Sequence, residues 1–204
     1  KTAQEKILAV KSLQRRGYET QPLRRIYIPK KDGSQRPLSI PPMKCRAMQA
    51  LYLLALEPIA EMRADKNSYG FRPKRCAADA IEQCFCALAR KPHAQWILEG
   101  DIKSCFDSIS HTWLLNNITM DKNILKKWLT AGYVESNRVF ETKVGTPQGG
   151  VISPTILTMT LSGLEPAVKA VVTKADKRNI ITILLCTYSV TLSKARPESR
   201  RTTT

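Results

Sequence analysis

Two short apolar runs, RRIYIP (24–29) and RPLSIPP (36–42), flank the polar stretch KKDGSQ, whose Asp32-Gly33 pair is a strong short-range signal for a tight hairpin turn. A hairpin followed at once by the apolar-periodic stretch RAMQALYLLALEPIAEM, which reads as a long helix with a kink near Pro58, rules out an all-helical chain. Later segments repeat the alternation. HAQWILEGDI reads as a buried strand that turns at Ser108–Ser110 into helical HTWLLNNI and NILKKWLTAGYV. RVFETK alternates like a strand and leads into VGTPQGGVISPTILTMTLSGLEPAVKAV, a Gly/Pro-rich loop feeding a long helix. NIITILLCTYSV is a strong β run, whereas SKARPESRRTTT is a polar, basic tail with nothing to bury. Short strands with intervening helices point to an α+β protein built on a small mixed or antiparallel sheet packed with helices.

At the N-terminus Thr2 and Glu5 have capping-box spacing, ahead of a basic helix through EKILAVKSLQRR that stops at Gly17. The loop DKNSYGFRPKRCA opens a further helix, AADAIEQCFCALAR. No CxxC spacing occurs among the six cysteines, and Cys84 and Cys86 on that helix read as reduced core residues rather than metal ligands. KTAQEKILAVK has no signal-peptide apolar region, so a cytoplasmic location is expected.

Thirty-three Lys and Arg against seventeen Asp and Glu give a formal net charge of +16 over 204 residues. Such an excess speaks about partners, and it points to a polyanion. No run approaches the roughly 18 consecutive apolar residues of a spanning helix, so nucleic acid is favoured over a membrane. Twelve basic residues against three acidic ones between Lys1 and Arg46 concentrate the positive field in the N-terminal third.

Asp101 follows Gly100 at the tail of the WILEGD strand, where a carboxylate faces the cleft beside the sheet and suits a hard divalent cation such as Mg²⁺. Asp107, just before Ser108, reads as a helix cap or turn residue. The ordered blocks YIPKKDGSQRPLSIP, SYGFRPKRCAADAI, GDIKSCFDSISH and GTPQGGVISP resemble the fingers and palm of group II intron reverse transcriptases, or maturases, over roughly residues 24–170.

That resemblance implies a right-hand polymerase fold with fingers and an incomplete palm, and RNA-directed DNA polymerase chemistry with two Mg²⁺ ions and a dNTP substrate. Asp101 and the Ile102 carbonyl would hold metal. Phe106 would lie under the nucleotide sugar and exclude a 2′-hydroxyl, or else serve as core. Lys30, Lys31 and Arg36 would contact phosphate from the fingertip hairpin, with a solvated basic turn as the alternative. Arg72 would steady template or nucleotide, while the aromatics beside it could be wedged into the core. Gln148 and Gly149 would approach the templating base pair, unless GTPQGG is a simple helix-entry loop. Lys6, Lys11, Arg15, Arg16, Arg24 and Arg25 would bind RNA, either intron RNA or an RNA template paired with a DNA primer. No membrane partner is implied, and a dimer is open.

The chain departs from the pattern after Tyr188. The family carries Tyr-x-Asp-Asp there, but Ser189, Val190 and Thr191 follow, with no acidic residue before Glu198. The expectation is therefore a truncated, catalytically impaired polymerase fragment, with the sequence after Tyr188 out of frame. The alternative is a non-catalytic RNA-binding module that assists splicing. Expected regions are a basic helix at 1–23, fingers at 24–95, a partial palm at 96–188 and a disordered or out-of-frame tail at 189–204.

Overall fold

The computed structural model describes residues 2–30, 33–89, 96–171, 180–185 and 188–193. The chain folds as two compact units, one built from Lys1–Ala60 with Ser104–Leu157 and the other from Glu61–Lys103 with Thr158–Thr204. The expected regions 24–95 and 96–188 therefore each contribute to both units. The class is α+β, as expected, although among the described residues the strands form two sheets rather than one.

In the first unit, helix α1 (Ala3–Lys11) starts at the expected capping box: the Thr2 hydroxyl accepts from the Glu5 N–H, and the Glu5 carboxylate accepts from the Thr2 N–H at 2.9 Å. It ends five residues before Arg16, the expected last turn. Ser12 caps it there, donating its hydroxyl to the Ala9 carbonyl at 2.7 Å, the local backbone competition that serine brings to a helix interior. None of its residues is buried.

Strands β1 (Leu23–Pro29) and β2 (Gln35–Ile40) form the expected antiparallel hairpin, in register from Arg24 opposite Ile40 to Pro29 opposite Gln35. Of the turn signal, Asp32 lies outside the described residues. Helix α2 (Met43–Arg63) follows, with Pro58 inside it.

Beyond α3 (Ala77–Leu88) and β3 (Trp96–Asp101), both in the second unit, come α4 (Cys105–Ser108), α5 (His111–Asn117) and α6 (Lys122–Leu129). The expected helix NILKKWLTAGYV is cut short at Leu129, because the Thr130 hydroxyl closes the last turn on the Lys126 carbonyl and the chain reverses at Gly132. Its final residues instead form β4 (Tyr133–Glu135), which pairs with β5 (Arg138–Phe140). β4 also runs parallel to β1 through Leu23 and Arg24, giving a mixed sheet of order β2-β1-β4-β5.

The first unit's core gathers on the inner face of α6, where Ile124, Leu125, Trp128 and Leu129 are buried. Trp128 donates its indole N–H to the buried Tyr18 hydroxyl at 2.9 Å and meets the rings of Tyr18 and Tyr52 edge-on. Burial pushes the Tyr18 phenol well above its ordinary range, so it stays protonated and holds this geometry.

α7 (Ser153–Leu161) and α8 (Leu164–Ala170) replace the single long helix expected after the Gly/Pro-rich loop. The break has a cause in the second unit: the Asp65 carboxylate accepts from the Gly163 N–H at 2.9 Å and the Glu165 N–H at 3.1 Å, capping a new helix start. There β6 (Ile180–Leu185) and β7 (Tyr188–Ser193) form a hairpin, and β3 pairs antiparallel with β7 in a sheet of order β3-β7-β6.

This sheet differs from expectation at two places. β3 is an edge strand whose six residues are all exposed, not buried, because the helices that cover this sheet among the described residues, α3 and α8, pack on β6 at its other edge. The residues after Tyr188 extend the sheet as far as Ser193, so the first part of the expected tail is strand; residues 194–204 lie outside the described residues. The second core is the cluster of Tyr69, Ala80, Ala87 and Ile183, with Cys84 packed against it. Cys45 and Cys105 are buried; of the pair expected in the core, Cys84 is half-buried and burial raises its thiol's pKa, but Cys86 is exposed, as is Cys76 before α3. Among the described residues, no helix is long and apolar enough to cross a membrane.

Candidate functional site

The loop 145–150 of the first unit is stitched to its surroundings by backbone hydrogen bonds. The Gly145 N–H donates to the Ile109 carbonyl at 2.8 Å, the Thr146 N–H to the Phe106 carbonyl at 2.7 Å, and the Ser39 N–H of β2 to the Gln148 carbonyl at 2.7 Å. Two glycines make the approach feasible. A Cβ at Gly145 would stand 2.7 Å from the Phe106 carbonyl oxygen and the Asp107 Cα, and one at Gly149 would stand 2.8 Å from the Ser39 carbonyl oxygen. Both residues also have positive φ, 84° and 111°. The run GTPQGG is thus no simple helix entry: it clamps the hairpin's second strand to the α4 turn.

Side chains converge at the same place. Gln148 Oε1 accepts from Arg36 Nε at 2.8 Å, and Gln148 Nε2 donates to Asp107 Oδ2 at 3.1 Å. His111 Nε2 lies 2.8 Å from the Gly145 carbonyl. The structure therefore brings together Arg36, Phe106, Gln148 and Gly149 from the expected set. It adds Asp107 and His111, which the sequence presents as a helix cap or turn residue and a plain helix residue. Phe106 is half-buried, so it is neither solvent-facing nor core. Lys30 is exposed at the hairpin end, and Lys31 lies outside the described residues.

Behind the loop is a cavity of about 290 Å³ lined by Arg25, Asp107, Tyr133, Thr146 and Gln148. The Arg25 guanidinium lies 3.8 Å above the Tyr133 ring, which stacks on Phe140, and its Nε is buried without a hydrogen-bond partner. Arg25 is thus half-buried against an aromatic, while Arg24 beside it is exposed.

The remaining basic residues expected to bind RNA are also in this unit. Lys6 and Lys11 are exposed on α1. Arg15 and Arg16 line a groove of about 600 Å³ with Asp121, Asn123, Lys126 and Lys127. Arg15 pairs with Asp121 at 3.1 Å, and Lys127 bonds Glu19 and the Tyr18 carbonyl, both at 2.6 Å. Lys126 and Lys127 escape a sequence reading because the apolar face of α6 reads as core; the period of 3.6 that buries Leu125 and Trp128 also presents lysines on the other side.

Asp101 and Arg72 belong to the second unit. Asp101 ends β3, exposed, opposite Tyr188 of β7, and Ile102 after it is 38% exposed. Strand alternation puts Glu99 on the same face as Asp101. β7 sets Ser189, Val190 and Thr191 opposite Gly100, Glu99 and Leu98, so this neighbour adds no further carboxylate. Among the described residues no three His, Cys, Asp or Glu converge. Two carboxylates on one strand do not fit a pair of Mg²⁺ ions, which share oxygen ligands from several positions.

Arg72 departs from its expected role. Its side chain is 5% exposed and forks onto the Glu61 carboxylate through Nε and Nη2, while Nη1 donates to the Asp65 and Ser68 carbonyls at 2.9 and 2.8 Å. A buried guanidinium with four of its five N–H donors turned inward holds the 61–72 loop. The hydrogen bonds from Arg72 lower the Glu61 pKa. The same loop docks on the sheet through Tyr69 N–H to the Leu184 carbonyl at 2.8 Å. Tyr69 is in the core, while Phe71 is exposed.

Residues 28–188 match the family model described as reverse transcriptase (RNA-dependent DNA polymerase). The chain is 36% identical over 186 residues to the group II intron-encoded protein LtrA of Lactococcus lactis subsp. cremoris, covering 87% of this chain and 30% of that protein. It is 36% identical over 153 residues to the protein YkfC of Escherichia coli, covering 71% of this chain and 40% of that protein. Among solved structures, telomerase from Candida albicans in complex with a TWJ fragment of telomeric RNA aligns with TM-score 0.61 at 14% identity, covering 87% of this chain and 39% of that one. This last likeness concerns the fold alone.

Proposed function

We propose, since this chain belongs to the reverse transcriptase (RNA-dependent DNA polymerase) family, that the cluster around its glutamine loop holds a deoxynucleoside triphosphate and that its basic face holds RNA. The observation that carries the nucleotide reading is the Arg36–Gln148 hydrogen bond at 2.8 Å, made where the loop is stitched to the backbone of Phe106. A guanidinium for phosphate, an amide for a base edge and an aromatic for a sugar are a chemically complete set for a nucleotide. Lys30 and Gly149 belong to the same reading, Lys30 as a point charge and Gly149 as the position where backbone approaches closely.

In this family Mg²⁺ ions supply activation of the primer hydroxyl and charge neutralisation on the triphosphate. The carboxylates of β3 do not fit a two-ion centre, so the function we assign is binding. Asp101 remains the residue that would meet a single divalent ion.

Equilibrium binding of a labelled dNTP tests the reading. Arg36→Ala and Gln148→Ala should each weaken binding by about tenfold, the loss of one charge-assisted hydrogen bond. Phe106→Ala should bring ribonucleotide affinity up toward that for the deoxynucleotide. Nucleotide affinity indifferent to all three would overturn the assignment.

A second reading, RNA binding alone, is favoured by the groove of Arg15, Arg16, Lys126 and Lys127. An RNA template or structured intron RNA are both proposed partners, since the chain spans only 30 to 40% of the length of the curated relatives above. Arg16→Glu with Lys126→Glu should weaken RNA binding and reduce the slope of log K against log salt by about 0.7 for each phosphate no longer engaged. An unchanged slope would exclude the groove as the RNA face.

A further inference from the structure

We propose that Asp107 is a positioning residue whose carboxylate fixes which way the Gln148 amide faces. The purpose of that orientation rests on the nucleotide reading above; the orientation itself does not.

A glutamine amide is nearly symmetric in shape but not in chemistry, since a half-turn exchanges an acceptor for a donor. Two neighbours decide the matter here. Arg36 has no acceptor, so what faces it must be Oε1, at 2.8 Å; ionised Asp107 has no donor, so what faces it must be the NH₂ group, at 3.1 Å. Removing either neighbour leaves one half of the constraint. The backbone supplies the rest, because the Gln148 carbonyl is held by the Ser39 N–H at 2.7 Å, and Gly145 sits against the Asp107 Cα.

Capping does not explain Asp107. The α5 N-cap is Ser110, whose hydroxyl accepts from the Trp113 N–H at 3.3 Å, and α4, in which Asp107 lies, is a single four-residue turn. Within the fold, Asp107 therefore links the α4 turn to the loop, completing an Arg36–Gln148–Asp107 chain from cation through amide to anion.

The test is the side-chain ¹H–¹⁵N signal of Gln148 in the full chain, assigned by its loss in Gln148→Ala. In the parent protein one of the two amide protons should lie well downfield of the other and exchange slowly. In Asp107→Leu the two should converge, while the melting temperature stays where it was. Asp107→Asn, which can still turn its own carbonyl toward the amide, should restore most of the separation. Labelled dNTP binding, measured on the same samples, should fall about threefold to tenfold in Asp107→Leu and recover in Asp107→Asn. An unchanged Gln148 signal in Asp107→Leu overturns the proposal, as does a collapse in Asp107→Asn equal to that in the leucine variant. If the parent protein binds no dNTP, the nucleotide reading fails on its own, and convergence of the two protons in Asp107→Leu still upholds the positioning role.

Discussion

Trp128→Ala should cost about 3–5 kcal/mol of stability, enough to lower the melting temperature by about 10 °C. The indole is 4% exposed, fills the inner face of α6, and is the meeting point of the Tyr18 and Tyr52 rings. Truncation leaves a cavity on the inner face of α6, and it removes the donor to a buried phenol. Trp128→Phe separates the two contributions. It keeps an aromatic body but drops the N–H, and should cost about 1–3 kcal/mol. Far-ultraviolet circular dichroism follows both melts without relying on tryptophan emission. Equal melting temperatures for the alanine variant and the parent would mean that this cluster does not anchor the unit.

Glu61→Gln should destabilise the chain by about 3 kcal/mol, because the Arg72 guanidinium would stay buried without its anion. The lower end of the range for a broken buried pair applies, since the Glu61 side chain is 39% exposed and partly screened. The pair also predicts a pH dependence. Folding depresses the Glu61 pKa below its ordinary 4.5, so the stabilisation is full above that value and is lost as pH falls through the folded one. Urea midpoints of parent and variant should therefore differ most near neutrality and converge as pH drops below about 4.5. A constant gap across that window would show that the carboxylate's charge contributes nothing.

How much of the fold is legible in the sequence depends on the range of the forces involved. The α1 capping box, the β1–β2 hairpin and the α2 helix are readable because their signals are local: a cap, a turn and an apolar period. The split between α7 and α8 is not, because its cause is Asp65, almost a hundred residues away in sequence. The exposed state of β3 is hidden for a similar reason. Trp96, Ile97 and Leu98 look like a buried run, and only the tertiary packing, with α3 and α8 laid on β6, tells that the faces of β3 stay open.

In the site, Gln148 and Arg36 stand out by their motifs, but their mutual bond and its continuation to Asp107 are tertiary facts. Arg72 shows the opposite error. A motif arginine looks available for a ligand until its donors are counted, and here four of the five are turned onto Glu61 and two carbonyls. Lys126 and Lys127 go unnoticed because a helix that supplies core residues on one side invites a reading of that side only.

Hydrogen–deuterium exchange on the full chain, with and without dNTP, tests the nucleotide assignment most directly. The amides of Ser39 and Thr146 already donate to the Gln148 and Phe106 carbonyls, so they report the loop itself. Saturating dNTP should slow exchange at 36–39 and 145–150, and Gln148→Ala should abolish that slowing. Protection appearing elsewhere, with these two segments unchanged, would contradict a nucleotide site at the glutamine loop.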